Sequence, residues 1–536
     1  MRRGAAGVAE TADPRRPPRT GDGRLGAALL LAALVLAAAG CARLSGRPPD
    51  GPARGPDASS SSSAAQPSPF AIRGVVEGFY GPAWTPAATA DVLAFTGARG
   101  MNTFVYAPKD DPYQRAQWAS PYPPAQLADL RQLVRAARAA GVTFVYSLSP
   151  GLSIVYSSAS DRAAVEAKLA QLRGIGVDTF MLSFDDVPDH LQAAPDVSAY
   201  HGSLAAAQVD LVNAVYTAER GVDPRFRLMF TPTEYWGTTP DAYLRTLAGL
   251  NPAIGVVWTG PGVLSPEVTL AQAQAFGAIV GRKPILWYNY PVNDWTAPSG
   301  ELASGLPGVQ PRVLFMGPVR GLAADLGLGL EGVLANPMLE ARASEPALAS
   351  LAAYLQDPAS ASAPQAAWSA ALQAAGGAAT PALQAFVAGE SPYPALSPSG
   401  AYVWGSSDPG LDAVEASLLQ AYARDPGAAV ASPAAAQLRA AFESWIQAVP
   451  ALAPARFPDP ALAAEIGPWV GWMAPAGHSG LDGLALLQAA GASPGGPALA
   501  ADRAQVQRDL VLLASSPVDF GGDLSTFLEG VLAATP

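Results

Sequence analysis

From Ile72 onward the hydrophobic positions fall into short β-rich runs separated by stretches of helical period. The runs are Ile72 to Gly78, Thr103 to Pro108, Thr143 to Ser149, Thr179 to Asp185, Arg227 to Thr233, Gly255 to Gly260, Pro284 to Tyr290 and Gly332 to Pro337. Amphipathic segments lie between most of them, among them Pro123 to Ala140, Ala163 to Gly174, Leu204 to Ala218 and Pro266 to Val280. Strands that alternate with helices build βαβ units, because a parallel neighbour can be reached only by a crossover. Eight units predict a closed (β/α)8 TIM barrel. An open, doubly wound sheet is the competitor, but it usually carries a Gly-rich phosphate turn after its first strand. Here the first run leads instead into Glu77, Gly78, Phe79 and Tyr80.

Past Asn336 the β-rich runs stop, and Ala- and Leu-rich stretches of helical period take over. Candidate helices are Glu345 to Leu355, Pro364 to Ala374, Leu411 to Ala423, Ser432 to Val449 and Ala500 to Ala514. The span from Ala388 to Pro409 reads as a long connection with contacts of its own. The expected organisation is therefore a barrel domain over 70–345 followed by an α-helical C-terminal domain over 346–536.

Upstream the pattern is different. Residues 42–69 are rich in Ser, Pro, Gly and Ala, including Ser59 to Ser63, and lack the periodicity that could bury a core. That composition is expected of a flexible tether. Before it, arginines up to Arg24 precede an apolar stretch from Leu25 to Ala39, then Gly40 and Cys41. The stretch falls short of the roughly 20 apolar residues of a membrane span and has the layout of an export signal. Small residues directly before Cys41 are similar to a bacterial lipobox. Residues 1–41 are thus expected to form a lipoprotein-type signal peptide, with Cys41 as the lipidation site and the mature protein anchored to a membrane outside the cytoplasm. Cys41 is the sole cysteine, so no internal disulfide can form.

Charge narrows the partners. The formal net charge is −11, and the basic N-terminal segment offsets a more acidic remainder. Nucleic acid binding needs clustered Lys and Arg to neutralise phosphates, and no basic run follows residue 40, so nucleic acid is excluded as an expected partner. Metal catalysis is also not expected: three histidines, His190, His201 and His478, stand without an HExxH pattern or a Cys cluster. A Ser-His-Asp hydrolase would show a G-x-S-x-G elbow, and none is present.

Polar residues that end apolar runs are the ones to inspect, because a (β/α)8 barrel builds its active site at the C-terminal ends of its strands. They are Glu77 and Gly78; Lys109, Asp110 and Asp111; Asp185 and Asp186; Thr233, Glu234 and Tyr235; Thr259; Asn289, Asn293 and Asp294; and Asn336. Aromatics gather in the same region, including Tyr80, Trp84, Trp236, Trp258 and Trp287. Ring faces stack on sugar C–H surfaces, although part of such a set is expected to pack the barrel instead. The pair Asp185-Asp186 follows the apolar run Phe180 to Phe184. Neighbouring carboxylates resist joint ionisation, so one is expected to have a raised pKa and to serve as a general acid.

Several of these motifs occur together in one known family. Arg73-Gly74-Val75-Val76-Glu77-Gly78-Phe79-Tyr80-Gly81 with Trp84 resembles the opening of the family 84 glycoside hydrolases, the O-GlcNAcases and their bacterial relatives. Tyr106-Ala107-Pro108-Lys109-Asp110-Asp111, Phe184-Asp185-Asp186, Pro232-Thr233-Glu234-Tyr235, Trp258-Thr259-Gly260-Pro261, Trp287 with Asn289, Asn293-Asp294 and Asn336-Pro337 agree in the same order. The resemblance spans about residues 71–345 and implies an exo-acting, retaining β-N-acetylglucosaminidase without a cofactor. Its substrates would be glycans or glycoproteins that carry terminal β-linked N-acetylglucosamine (GlcNAc). It implies substrate-assisted catalysis, in which the sugar's 2-acetamido oxygen attacks the anomeric carbon to give an oxazoline. Asp185 would orient the acetamido N–H, and Asp186 would act as general acid and then general base. Gly78, Lys109, Tyr235, Thr259, Trp287, Asn289, Asp294 and Asn336 would bind or line the sugar site. One departure concerns Tyr288, where animal members carry Asp. Two other readings stay open: a glycosidase using Glu234 as protein nucleophile opposite Asp186, and a non-catalytic GlcNAc-binding surface lectin.

Overall fold

The computed structural model describes residues 67–296, 312–390, 392–396, 402–406, 409–493 and 497–536. The expected signal peptide with Cys41 and the expected tether up to Gln66 lie outside the described residues.

Eight parallel strands close into a barrel in chain order. They are β1 (Ile72–Glu77), β2 (Thr103–Tyr106), β3 (Thr143–Leu148), β4 (Thr179–Ser183), β5 (Arg227–Thr231), β6 (Gly255–Trp258), β7 (Ile285–Tyr288) and β8 (Gly332–Ala335). Each falls within one of the runs read from the sequence. Closure is made by β8 on β1, with Ala335 paired to Val75 and Gly332 to Ile72. Glycine is needed at that joint, because a Cβ on Gly332 would lie 2.3 Å from the Ile72 carbonyl oxygen.

Alternation along the strands divides the apolar residues into two layers. Val76, Val105, Val145, Met181, Met229, Val257, Trp287 and Leu334 fill the barrel interior. Their neighbours Val75, Phe104, Phe144, Phe180, Leu228, Val256, Leu286 and Val333 face outward and pack beneath the surrounding helices. The helices follow local signals. Leu270–Val280, for example, starts at a capping box, in which the Thr269 side chain accepts from Gln272 N while the Gln272 side chain accepts from Thr269 N. It ends at Gly281, whose φ of 74° lies in the left-handed region where a Cβ is disfavoured.

Helix Ala341–Gln356 packs against β1, β8 and the helix Pro86–Ala98, and so completes the eighth β/α unit. Residue 345, where the sequence suggests a domain boundary, lies inside it. The remaining chain is mostly helical, and among the described residues four of its α-helices went unread in the sequence. Thr380–Ala388, Pro426–Val430 and Leu524–Ala534 are short helices, and Pro460–Ala492 is a long one. This last helix contains Pro468 and Pro475 and several glycines, all poor helix formers. Packing overrides propensity: a Cβ on Gly477 would meet the Phe442 carbonyl oxygen at 2.6 Å, and one on Gly480 the Phe442 ring at 2.6 Å. The glycines therefore permit the helix Pro433–Leu452 to pack closely. A second correction concerns the end of the β-rich runs. Pro394–Leu396 and Tyr402–Trp404 pair antiparallel, each too short for its alternation to register.

Candidate active site

The alternation that fills the barrel also aims the site. Counting onward in steps of two from the interior residues of each strand reaches Gly78, Lys109, Asp185, Tyr235, Thr259, Asn289 and Asn336, which extend the inward-facing set to the barrel mouth. Asp186 has the opposite parity and would turn away. Its backbone corrects this with a φ of 52°, a left-handed conformation that costs a non-glycine residue roughly 1–2 kcal/mol. The turn leaves both carboxylates at the mouth.

Each carboxylate has its own partners. Asp185 is buried, its Oδ2 forms an ion pair with Lys109 Nζ, and its Oδ1 has no hydrogen-bond partner among the described residues. Asp186 is exposed; its Oδ1 accepts from the Tyr235 hydroxyl at 2.8 Å and its Oδ2 from the Tyr80 hydroxyl at 2.8 Å. Lys109 also lies over the faces of Trp287 and Tyr80, 5.6 and 5.9 Å from the ring centres.

The opposite wall is a chain of amides. Asn336 Oδ1 accepts from Gly78 N at 3.2 Å, and Asn336 Nδ2 donates to Asn289 Oδ1 at 3.0 Å. The same Asn289 oxygen accepts from Trp287 Nε1 at 2.9 Å, and Asn289 Nδ2 donates to the Val263 carbonyl. Gly78 has to be glycine for the indole to lie there, since a Cβ would stand 2.2 Å from Trp287. Asp294 Oδ2 accepts from Tyr80 N at 2.8 Å, which joins it to the carboxylate side. Thr259 N donates to the Tyr235 carbonyl at 2.8 Å, while its hydroxyl donates to Gly262 O, so it shapes the loop that carries Tyr235. All ten barrel residues expected at the site from the sequence are thus linked at one mouth.

The electrostatics correct one expectation. Desolvation pushes the Asp186 carboxyl up, but the Lys109 charge, the Tyr235 and Tyr80 hydrogen bonds and Arg115 together hold it below the usual carboxylate range. The neighbouring carboxylate does not prevail because cationic and phenolic donors surround the pair. Burial and the nearby carboxylates raise both phenols well above their ordinary value, so Tyr80 and Tyr235 keep their protons as donors.

Comparison with known proteins places this geometry. The β-N-acetylglucosaminidase family model (NAGidase) matches residues 73–388. The chain belongs to that family. It is 35% identical over 288 residues to the protein O-GlcNAcases of Rattus norvegicus and Mus musculus, a match that covers 52% of this chain and 29% of each relative. The chain spans under a third of the length of those curated relatives. A solved O-GlcNAc hydrolase mutant of Thermobaculum terrenum superposes with a TM-score of 0.75 at 27% identity, covering 87% of this chain and 95% of that one. The resemblance to the family 84 glycoside hydrolases drawn from the motifs therefore holds.

Not every polar strand end of this β-N-acetylglucosaminidase family member reaches the mouth. Asp111 accepts from the Tyr106 and Tyr122 hydroxyls in a layer behind it, and Asn293 donates to Glu340. Burial and the neighbouring Asp241 carboxylate push Glu234 up, which disfavours the ionised form a nucleophile needs. Tyr288 faces away from the barrel mouth: its hydroxyl bonds the Tyr393 hydroxyl and the Arg320 carbonyl, so it fastens the C-terminal region to β7. In the sequence Tyr80 reads as one of the gathered aromatics rather than as a hydrogen-bond donor, and Arg115 is not singled out at all. Both stand a few residues past a strand end, two beyond Gly78 and six beyond Lys109.

Glu77 braces the first loop, its Oε1 accepting from Trp84 N at 3.0 Å. Burial pushes its pKa up from 4.5 to about 8. A carboxyl raised in the folded state binds more protons there than when unfolded. Its stability contribution is therefore full below about pH 4.5 and lost as the pH rises through about 8, a change on the order of a few kcal/mol. Melting curves from about pH 5 to about pH 8 should show Glu77→Gln losing less stability than the wild type. Parallel curves for the two proteins would refute the assignment.

Proposed function

We propose that this protein is an exo-acting, retaining β-N-acetylglucosaminidase that removes terminal β-linked GlcNAc by substrate-assisted catalysis through an oxazoline. The observation that carries this reading is Asp185 Oδ1, a buried acceptor without a partner among the described residues, beside a second carboxylate. A buried carboxylate oxygen left unbonded is costly unless a ligand donor meets it, and an acetamido N–H is such a donor.

In this reading Lys109 holds Asp185 so that its free oxygen takes the acetamido N–H and raises the nucleophilicity of the acetamido carbonyl oxygen. That oxygen attacks the anomeric carbon as the glycosidic bond breaks, and Asp186 gives its proton to the departing oxygen. The oxazoline then opens when Asp186 removes a proton from water, and the configuration is retained. Gly78, Asn289, Asp294 and Asn336 supply polar groups for the sugar hydroxyls, Trp287 supplies a face, and Tyr235 orients Asp186. Glu234 as a protein nucleophile is disfavoured because burial and the neighbouring Asp241 carboxylate favour its neutral form.

The test is hydrolysis of an aryl β-GlcNAc, with product anomers followed by NMR, and inhibition by a thiazoline that mimics the oxazoline. Release of the β-anomer first, with inhibition, is the expected result; an initial α-anomer or no turnover would end the proposal. Export and lipidation at Cys41 belong to the same proposal, supported by the apolar stretch before Cys41. Cys41→Ser should release the protein from the membrane fraction, and unchanged membrane retention would exclude the anchor. Exported in this way, the enzyme would meet extracellular glycans or glycoproteins.

A further inference from the structure

Asp186 needs an explanation that its phenol partners do not supply. Two hydroxyls fix its carboxylate, but its backbone stands in a region that non-glycine residues rarely occupy. Such a conformation persists only when the surroundings over-determine it. The group that does so is Arg115, a buried residue on the loop after β2. Its Nη2 donates to the Asp186 carbonyl at 2.8 Å, and its Nη1 donates to the Tyr80 hydroxyl at 2.9 Å. The guanidinium also lies 5.5 Å from the Tyr80 ring centre.

These bonds close a ring. Arg115 donates to Tyr80, Tyr80 donates to the Asp186 carboxylate, and Arg115 returns to the carbonyl of the same Asp186. Because Arg115 can only donate, the Tyr80 oxygen must accept from it, and the phenolic hydrogen is left to point at Asp186 Oδ2. The same loop thus controls both acids: Lys109 holds the side chain of Asp185, and Arg115 holds the main chain of Asp186.

We propose that Arg115 is a positioning residue for the general acid, holding Asp186 in its left-handed conformation and directing the Tyr80 proton onto its carboxylate. The inference rests on the acid role given to Asp186 above. It assigns Arg115 no contact with the substrate. Lysine would be a poor replacement, since one ammonium lacks the planar fork that reaches both oxygens at fixed angles.

The experiment compares Arg115→Gln, Arg115→Lys and Asp186→Asn on phenyl and dinitrophenyl β-GlcNAc. The phenyl compound needs protonation of its leaving oxygen; the dinitrophenyl compound hardly does. Arg115→Gln should lower kcat on the phenyl substrate about tenfold more than on the dinitrophenyl one, with KM changed less than about twofold. A merely structural arginine would depress both substrates together. Equal losses in Arg115→Gln, with a selective loss in Asp186→Asn, would overturn the role of Arg115 alone. Equal losses in Asp186→Asn would overturn the acid assignment and this inference with it. If Arg115→Gln does not fold, Arg115→Lys gives the same readout: a selective loss supports the role, and equal losses with selective Asp186→Asn overturn it.

Discussion

Asp186→Asn should lower kcat/KM for phenyl β-GlcNAc by roughly 10²–10⁴-fold, the range expected when a positioned general acid is removed, while the dinitrophenyl substrate loses less than about tenfold. Asparagine keeps the size of the side chain, and its one carbonyl oxygen can still accept from one of the two phenols that meet the carboxylate, so the change is close to isosteric while it removes the proton. The free site adds a condition on pH. Lys109, the two phenols and Arg115 hold Asp186 low, and it is therefore ionised at neutral pH before substrate binds. In the proposed mechanism a sugar seated over the carboxylates would exclude water and destabilise the ionised form, which would move the pKa upward in the complex. The acid must be protonated to act, so the activity falls as pH rises through its pKa. The alkaline limb of kcat should consequently lie at higher pH than that of kcat/KM, since the first reports the complex and the second the free enzyme. Both limbs should vanish in Asp186→Asn with the phenyl substrate. A uniform loss on both aglycones would show that Asp186 does not deliver the proton.

Why the site could be read from the chain so far in advance has a geometric answer. The inward parity that places Val76, Met181 and Leu334 in the barrel is the parity of Gly78, Asp185 and Asn336, so one alternating pattern encodes core and mouth together. What lay outside that pattern was read less well. Asp186 reaches the mouth through a backbone turn that alternation cannot express, and its low pKa depends on donors from three separate loops. Tyr288 was a visible departure from the animal pattern, yet its parity already pointed it outward, where it meets Tyr393. Arg115 escaped notice because an arginine inside an irregular turn has no period, and its partners are a carbonyl and a phenol far away in sequence. The C-terminal helices followed the same division. Pro433–Leu452 announced itself by its amphipathic period, whereas Pro460–Ala492 is held by close packing at glycines that, read locally, argue against a helix.

Asp185→Asn separates catalysis from the stability of the ion pair. In the proposed mechanism the substitution removes the charge that polarises the acetamido group early in the reaction, so both aglycones should suffer alike, by roughly 10²–10³-fold in kcat, and a thiazoline inhibitor should bind correspondingly less well. The same change strands Lys109, which is buried and paired with Asp185. Breaking a buried pair from one side costs about 3–5 kcal/mol, because the remaining charge is left without a partner. A large drop in Tm is therefore expected, and activity alone could not tell a lost catalyst from a loosened site. The double variant Asp185→Asn with Lys109→Met resolves this, since it leaves no unpaired charge buried and so removes the main cost of the single variant. Its Tm should return most of the way to the wild type while kcat stays at the level of the single variant or below. Activity that recovered together with Tm would make Asp185 a structural partner of Lys109 and leave the acetamido group without its base.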